Sequence, residues 1–262
     1  MATIQYLSDL HLEFPENKQF ILDNPIRPNA DILVMAGDIV MFSLLDKFGW
    51  FFDDLSQKFQ QVYWIPGNHE YYGSDISHRA GIFKEKIRDN IFLLNNQTIV
   101  IDDVELIFST LWTQLSDKNQ RLITRMLSDF RTIRKYGQLL SPSDYNALNQ
   151  ENHFFLRKAL EKNDKKKVVV THHVPSFRNY PKKYLGDPLN EAFAVELENL
   201  IHVNGPDHWI YGHHHSNTAP FKIGDTILMT NQLGYVRMGE HLQFSSNCLL
   251  YTSDAADDLL CV

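Results

Sequence analysis

The sequence has little cysteine, no long hydrophobic run and no excess of positive charge. Because no apolar stretch approaches twenty residues, there is no candidate membrane helix. The chain has 25 lysines and arginines against 32 aspartates and glutamates, and the resulting formal charge of −7 argues against extended binding to a nucleic-acid backbone. The first strand begins within a few residues of Met1, which leaves no room for a removable signal peptide. We therefore expect a cytoplasmic protein without a membrane partner.

The two cysteines, Cys248 and Cys261, both fall in a C-terminal segment that differs in character from the rest of the chain. Residues 248–257 resemble the conceptual translation of a transposase mosaic-end sequencing adapter, and a natural acidic tail is the alternative. Segments of adapter origin are excluded when a fold is deduced. We therefore predict a single domain over residues 1–247 and a non-native tail over 248–262. Without that tail the chain has no cysteine, which excludes disulfide and thiolate chemistry.

The most informative stretch is the apolar run over residues 32–36, which is followed at once by Gly37 and Asp38. A strand this apolar has both of its faces covered. Gly37 allows the chain to turn sharply, and Asp38 then lies at the carboxyl end of the strand, where open α/β sheets bind ligands. A buried carboxylate needs a cationic partner, and no lysine or arginine is near it in sequence. Metal ions are the candidates.

Four more short apolar segments, which end near residues 8, 65, 170 and 211, are also followed by polar residues. The clusters that follow them are Asp9-Leu10-His11, Gly67-Asn68-His69-Glu70, His172-His173 and Gly212-His213-His214-His215. Seven of the twelve histidines lie in these clusters. Histidines that only fill a core would not collect at strand ends. The pattern therefore predicts one shared metal site, with carboxylate and imidazole ligands.

Helices are predicted where apolar residues recur every three or four positions. The spacing indicates helices over residues 44–59 and 142–160, the second with Ser141 as its N-cap. Ser74 or Asp75 would begin another helix that continues to about Asp89.

The five clusters, in this order, resemble the calcineurin-like metallophosphoesterase superfamily. The motifs Asp-x-His, Gly-Asp, Gly-Asn-His-Glu, His and Gly-His-x-His extend from residue 9 to residue 215. The resemblance implies an α/β fold, a four-layer α/β/β/α sandwich of two mixed sheets. It also implies two metal ions, with Asp38 bridging them and His69 as the catalytic histidine. The remaining implied ligands are Asp9, His11 and His215 for one ion and Asn68, His172 and His213 for the other.

The resemblance implies an enzyme that hydrolyses a small phosphomonoester or phosphodiester. Two divalent ions would acidify a bridging water toward hydroxide, which attacks the phosphoryl group in line with the leaving group. His69 would protonate the leaving oxygen or stabilise charge in the transition state. A ligand set of nitrogen and oxygen suits Mn, Fe, Zn or Co, of which we favour Mn.

Two positions depart from better-known branches of the superfamily. Purple acid phosphatases have a tyrosine where this chain has Met41, which argues against a ferric tyrosinate site. The protein phosphatases use an aspartate to orient the catalytic histidine, and residues 39–43 contain none. The sequence therefore leaves open which group orients His69.

Contacts with the substrate are harder to read from the sequence. His173, beside the ligand candidate His172, is interpreted as a group behind the ligands or facing the substrate, with a structural role as the alternative. Arg131 and Arg134 are candidates for a lid that places an arginine on a substrate phosphate, and a solvated helical face is the alternative. A nuclease of the same superfamily and a non-catalytic scaffold are the competing functions.

Overall fold

The computed structural model describes residues 3–161 and 165–252 of the chain. The strands are β1 (Thr3–Leu7), β2 (Ile32–Ala36), β3 (Gln61–Ile65), β4 (Phe83–Arg88), β5 (Ile91–Asn95), β6 (Gln97–Ile101), β7 (Val104–Ser109), β8 (Arg134–Lys135), β9 (Gln138–Leu139), β10 (Lys166–Thr171), β11 (His208–Tyr211), β12 (Phe221–Ile223), β13 (Thr226–Thr230) and β14 (Leu249–Tyr251). The helices are α1 (Pro15–Asp23), α2 (Gly49–Lys58), α3 (Gln120–Met126), α4 (Asp129–Thr132), α5 (Pro142–Ala159) and α6 (Glu198–Asn204).

Two six-stranded mixed sheets form the centre of the fold. The first has the order β14-β1-β2-β3-β5-β4 and the second the order β12-β13-β11-β10-β7-β6. In each sheet the four inner strands are parallel and the two edge strands are antiparallel. Parallel strands end at the same edge of their sheet, so the loops that follow β1, β2 and β3 lie together, as do those that follow β10 and β11.

Three apolar clusters separate four layers. One lies between the two sheets and contains Val34 of β2 and Val170 of β10. The second lies between the other face of the first sheet and α2, and it contains Phe52 and Leu55 of that helix. The third lies between the second sheet and the helices α5 and α6, and it contains Leu156 and Ile201 of those helices. Complete burial of side chains of this size stabilises the fold by about 1.5–3 kcal/mol each. The predicted four-layer α/β/β/α sandwich is confirmed.

Two of the predicted helices are present and the third is wrong. Helix α5 begins at a capping box in which Ser141 and Asp144 bond to each other's backbone N–H. Residues 83–88, predicted as helix, form strand β4, which pairs antiparallel with β5. The positions 76, 80, 83 and 87 have helical spacing, but Gly81 adopts a left-handed φ of +68° that interrupts a helix. Backbone pairing with β5 then decides the structure.

The predicted boundary at residue 247 falls beside an edge strand. β14 pairs antiparallel with β1, and the backbone N–H of Tyr6 donates to the carbonyl of Cys248. Residues 253–262 of the predicted tail lie outside the described residues. The division into a domain and a non-native tail stays a prediction. None of the described helices has the length and apolar character needed to cross a membrane.

Candidate metal centre and active site

The strand ends bring the predicted ligands together in two overlapping groups. Potential ligand atoms of Asp9, His11, Asp38 and His215 all lie within 4.8 Å of one another. Those of Asp38, His172 and His213 form a second group by the same measure. Asp38 is common to both, which is the position expected of a bridging carboxylate. All of these residues are buried except His215, which is partly buried.

The ligand candidates sit on strained backbone. Ten non-glycine residues of the described chain have positive φ, and half of them are ligand candidates. They are Asp9 (56°), His11 (46°), Asp38 (55°), His213 (78°) and His215 (48°). Such conformations cost of order 1–3 kcal/mol each and persist where surrounding structure imposes them, most often at functional sites. The left-handed residues bend the chain directly after β1, β2 and β11, and after β1 the side chains of Asp9 and His11 converge on one point.

Two glycines allow the loops to approach closely. A Cβ atom at Gly67 would overlap the carboxylate of Asp38 and lie 2.6 Å from the imidazole of His172. A Cβ atom at Gly212 would lie 2.6 Å from Oδ2 of Asp9. In both places only a glycine leaves room for the ligand side chain.

In the first group, two imidazole nitrogens lie close to each other. Nε2 of His11 lies 2.9 Å from Nε2 of His215. The Nδ1 atoms of these two rings face carboxylates, with Glu13 at 3.3 Å and Glu240 at 2.8 Å. Neutral rings that donate from Nδ1 present lone pairs at Nε2. Ligands that are 2.0–2.1 Å from a common ion lie about 3 Å apart, so this pair fits a metal ion.

The second group has the same spacing. Nε2 of His172 lies 3.0 Å from Nδ1 of His213 and 3.2 Å from Oδ1 of Asn68. Nδ1 of His172 donates to the carbonyl of Ala36 at 3.0 Å, which leaves Nε2 as the lone-pair nitrogen. Nδ2 of Asn68 donates to Asp129, and its oxygen is thereby turned toward His172. These donor atoms also fit a metal ion.

The charges of the cluster attract positive charge. Burial works against ionisation of Asp38, but the imidazoles of His172 and His69 hold its pKa well below the usual range. Burial alone would lower the pKa of His215, whereas its contacts with Asp9 and Glu240 raise it to about 10, so that a metal ion would displace a proton from this ring on binding. His213, buried beside His173 and His172, has a pKa well below the usual value and is neutral, as a ligand must be.

Glu70 connects two of the loops that carry ligand candidates. Its buried carboxylate accepts hydrogen bonds from the backbone N–H groups of Asp38, Ile39 and Gly67 and from the indole of Trp64, at 2.7 to 3.1 Å. Burial, followed by the nearby Asp38, raises its pKa to about 8. The carboxylate connects the loop after β2 to the loop after β3 and so sets the distance between Asp38 and Asn68.

Glu13 is the group that orients His69. Its Oε1 lies 3.0 Å from Nδ1 of His69, and the same oxygen is the partner of His11. The His69 ring stacks on Tyr72 with centroids 4.2 Å apart, and its Nε2 faces the hydroxyl of Tyr235 at 3.4 Å. Sequence reasoning missed Glu13, although it stands two positions beyond His11 and could have been read as an extension of the Asp-x-His motif.

The structure does not bring the remaining predicted contacts into the cavity beside the ligands. His173 is buried behind His213, with ring centroids 4.2 Å apart, and its pKa is lowered to about 3 by burial and by His172. The guanidinium groups of Arg131 and Arg134 are exposed, and they donate to the carbonyls of Arg125 and Gly137. Neither arginine lines the cavity.

That cavity has a volume of about 650 Å³ and opens directly over the two groups. Asp38, Asn68, His69, His213 and His215 contribute to its lining. Its size is that of an ordinary small-molecule site.

The fold and the site define a class of protein, the metal-dependent phosphoesterases. The family profile described as calcineurin-like phosphoesterase matches residues 3–217, so the chain belongs to this family and is a phosphoric ester hydrolase. A relative from Acanthamoeba polyphaga mimivirus, uncharacterized protein L509, is 31% identical over 264 residues, which cover 90% of this chain and 92% of the relative. The solved structure of the phosphopantetheinyl hydrolase PptH from Mycobacterium tuberculosis matches with a TM-score of 0.67 at 19% identity, over 93% of each chain. That likeness supports the fold.

Proposed function

We propose that this chain binds two divalent metal ions and hydrolyses a small phosphomonoester or phosphodiester. The observation that carries the proposal is the position of Asp38, whose carboxylate belongs to both groups of ligand atoms. Asp9, His11 and His215 would hold one ion, and Asn68, His172 and His213 the other. Manganese is the ion we favour, because the ligands are a mixture of carboxylate, amide oxygen and imidazole.

Bound metal ions would supply an acidified water and would withdraw charge from the phosphoryl oxygens. The chain supplies the remaining groups. Nδ1 of His69 donates to Glu13, which directs Nε2 of His69 into the cavity, where it can protonate the leaving oxygen. Burial opposes a positive charge on this ring, but Asp38 and Glu13 outweigh that effect and raise the pKa of His69.

The competing functions have less support. A scaffold that has lost catalysis needs neither the complete ligand set nor an imidazole held by Glu13. A nuclease needs cations along the path of the nucleic-acid strand. Of the described residues, no lysine or arginine lines the cavity.

The first experiment measures turnover of p-nitrophenyl phosphate and bis-p-nitrophenyl phosphate by metal-stripped protein, with and without added Mn²⁺. A phosphopantetheinyl ester, the group named for the mycobacterial hydrolase, belongs in the same panel. We expect turnover that depends on Mn²⁺, is abolished in Asp38→Asn and is retained in Asp89→Asn, an exposed residue with the same change of charge. Absence of turnover with every metal and ester would favour the scaffold.

A further inference from the structure

Part of the cavity lining, beside the ligand candidates, is apolar and partly open to solvent. Six of its side chains are large hydrophobic ones: Phe14, Met41, Leu44, Met126, Leu127 and Phe193. Met126 at the rim is 57% exposed and Phe14 is 37% exposed. Exposed apolar side chains are common singly, but six that line one cavity beside a polar site indicate a surface that a ligand covers.

Three polar side chains of the lining are already bonded within the protein or buried. The hydroxyl of Tyr72 donates to Asp129 at 2.6 Å. The carboxylate of Glu240 accepts from His215. One oxygen of Glu13 faces His11 and His69, and its other oxygen is buried and has no partner among the described residues. These groups are not available to the hydroxyls of a sugar or polyol. A substrate rich in hydroxyls would lose hydrogen bonds to water on entering the cavity without replacing them.

Positive charge is also scarce on the wall. Among the described residues, the lining contains no lysine or arginine. Lys183 lies close by, but it is exposed, and its ammonium group is 4.6 Å from the centre of the Tyr184 ring. Beyond the metal site, a second phosphate group would therefore find the carboxylates of Glu13 and Glu240 and few cations.

We propose that the substrate carries a single phosphoryl group, and that the alcohol it releases is uncharged and apolar. The phosphoryl group lies over the ligand candidates, and the apolar chain or ring contacts the apolar part of the lining, which includes Phe14, Met126 and Leu127. This inference rests on the proposed function, because it concerns the same site. It narrows the substrates from phosphoesters in general to those of hydrophobic alcohols, and it sets aside nucleotides, polyphosphates and sugar phosphates.

The test compares butyl, hexyl and octyl phosphates with glycerol 3-phosphate and propane-1,3-diol bisphosphate, each monoester also as its methyl diester. Because each buried methylene contributes favourable transfer free energy, kcat/KM is expected to rise roughly 3-fold per methylene, and on the order of 80-fold from butyl to octyl. Glycerol is a better leaving group than a simple alkanol, so slower hydrolysis of its ester would reflect binding rather than chemistry. The bisphosphate is expected to be the poorest substrate.

Met126→Lys places a cation on the rim. It is expected to make kcat/KM of the alkyl phosphates nearly independent of chain length and to raise kcat/KM of the bisphosphate about 10-fold. Ile82→Lys adds the same charge at a residue that is 72% exposed and outside the lining, and it should leave the dependence of kcat/KM on alkyl length unchanged. If p-nitrophenyl esters are hydrolysed but the alkyl series is flat or falls with length, the inference is overturned while the proposed function stands. If no ester of any kind is hydrolysed, the proposed function fails and the inference fails with it.

Discussion

The two groups of ligand candidates share Asp38 but are supported differently. In the first group, His11 and His215 each turn Nδ1 toward a carboxylate, that of Glu13 or Glu240. In the second group, His172 donates Nδ1 to the carbonyl of Ala36, and Nε2 of His213 has no hydrogen-bond partner among the described residues. The imidazoles of the first group are therefore backed by two negative charges, and those of the second by one neutral acceptor.

This difference indicates unequal affinities for the two ions. A carboxylate behind an imidazole fixes its tautomer and makes it a stronger ligand, and loss of such a partner typically lowers metal affinity 10- to 100-fold. The first group should hold its ion tightly, whereas the ion of the second group should exchange more readily. Substitutions in and around the two groups test this difference in affinity.

Gly67→Ala should damage both groups at once. The new methyl group would overlap Asp38 and crowd His172, so that ligands of both ions are displaced. A displacement near 1 Å in an active site can cost about 100-fold in rate, and we expect at least that loss in kcat together with loss of both ions. Metal content by mass spectrometry, measured beside activity, checks the prediction. Gly49→Ala is the control because its Cβ would meet only Arg88 at 3.5 Å, and a Gly67→Ala protein that retains two ions and normal kcat would contradict the account.

Glu13→Gln tests whether Glu13 acts mainly on the catalytic candidate His69 or on the ligand candidate His11. The amide no longer holds the imidazole by a charged hydrogen bond, so protonation of the leaving group should suffer most. We expect kcat to fall about 30- to 100-fold for an alkyl phosphate, which needs that proton, and much less for a p-nitrophenyl ester, whose leaving group is already stable.

The measurement is the dependence of kcat on the pKa of the leaving alcohol, in protein shown to contain its full metal content. A steeper dependence in Glu13→Gln than in the unchanged protein identifies Glu13 as a positioning residue. Equal losses for all esters would mean that Glu13 serves only the structure or the ion beside His11. Glu16→Gln, at an exposed position of α1, is the matched control.

Glu240→Gln tests the comparison through the other carboxylate of the first group. Because this carboxylate contacts only His215 among the ligand candidates, affinity for the tighter ion should fall about 10-fold while the weaker ion is unaffected. Calorimetric titration of metal-stripped protein with Mn²⁺ gives the two dissociation constants. Weakening of the second ion alone would reverse our assignment of the two affinities.

Arg131→Ala and Arg134→Ala should have the smallest effect. Both guanidinium groups are exposed and bond to backbone carbonyls outside the cavity lining, so each change should alter kcat/KM by no more than about 2-fold. A 10-fold increase in KM for either variant would instead support the arginine lid predicted from the sequence.

The ligand candidates could be predicted from the sequence because each follows an apolar strand directly. Parallel strands end at one edge, so five clusters that are spread between residues 9 and 215 become neighbours once the sheets form. Glu13 was missed because its role depends on the distance to His69, which is far away in the sequence. Glu70 was noted only as part of a motif, since its four donors belong to two segments that are distant in the sequence, residues 38–39 and 64–67.

Other features could not be deduced from a single sequence. Residues 83–88 have spacing that suits both a helix and a strand, and the pairing with β5 that decides between them is a tertiary contact. The apolar wall of the cavity combines Phe14, Met126 and Phe193 from three separate loops or helix ends. No periodicity in the sequence connects these residues, because connecting segments do not follow the repeat of a helix or a strand.

The most direct test of the account is to locate the ions. Crystals grown with Mn²⁺ and measured near the manganese absorption edge should show two anomalous peaks about 3.5–4 Å apart, one on each side of Asp38. The peak beside His11 and His215 should persist at the lower Mn²⁺ concentration, and the peak beside His172 and His213 should require the higher one. A single peak at saturating Mn²⁺, or two peaks that do not share Asp38, would contradict the two-metal site.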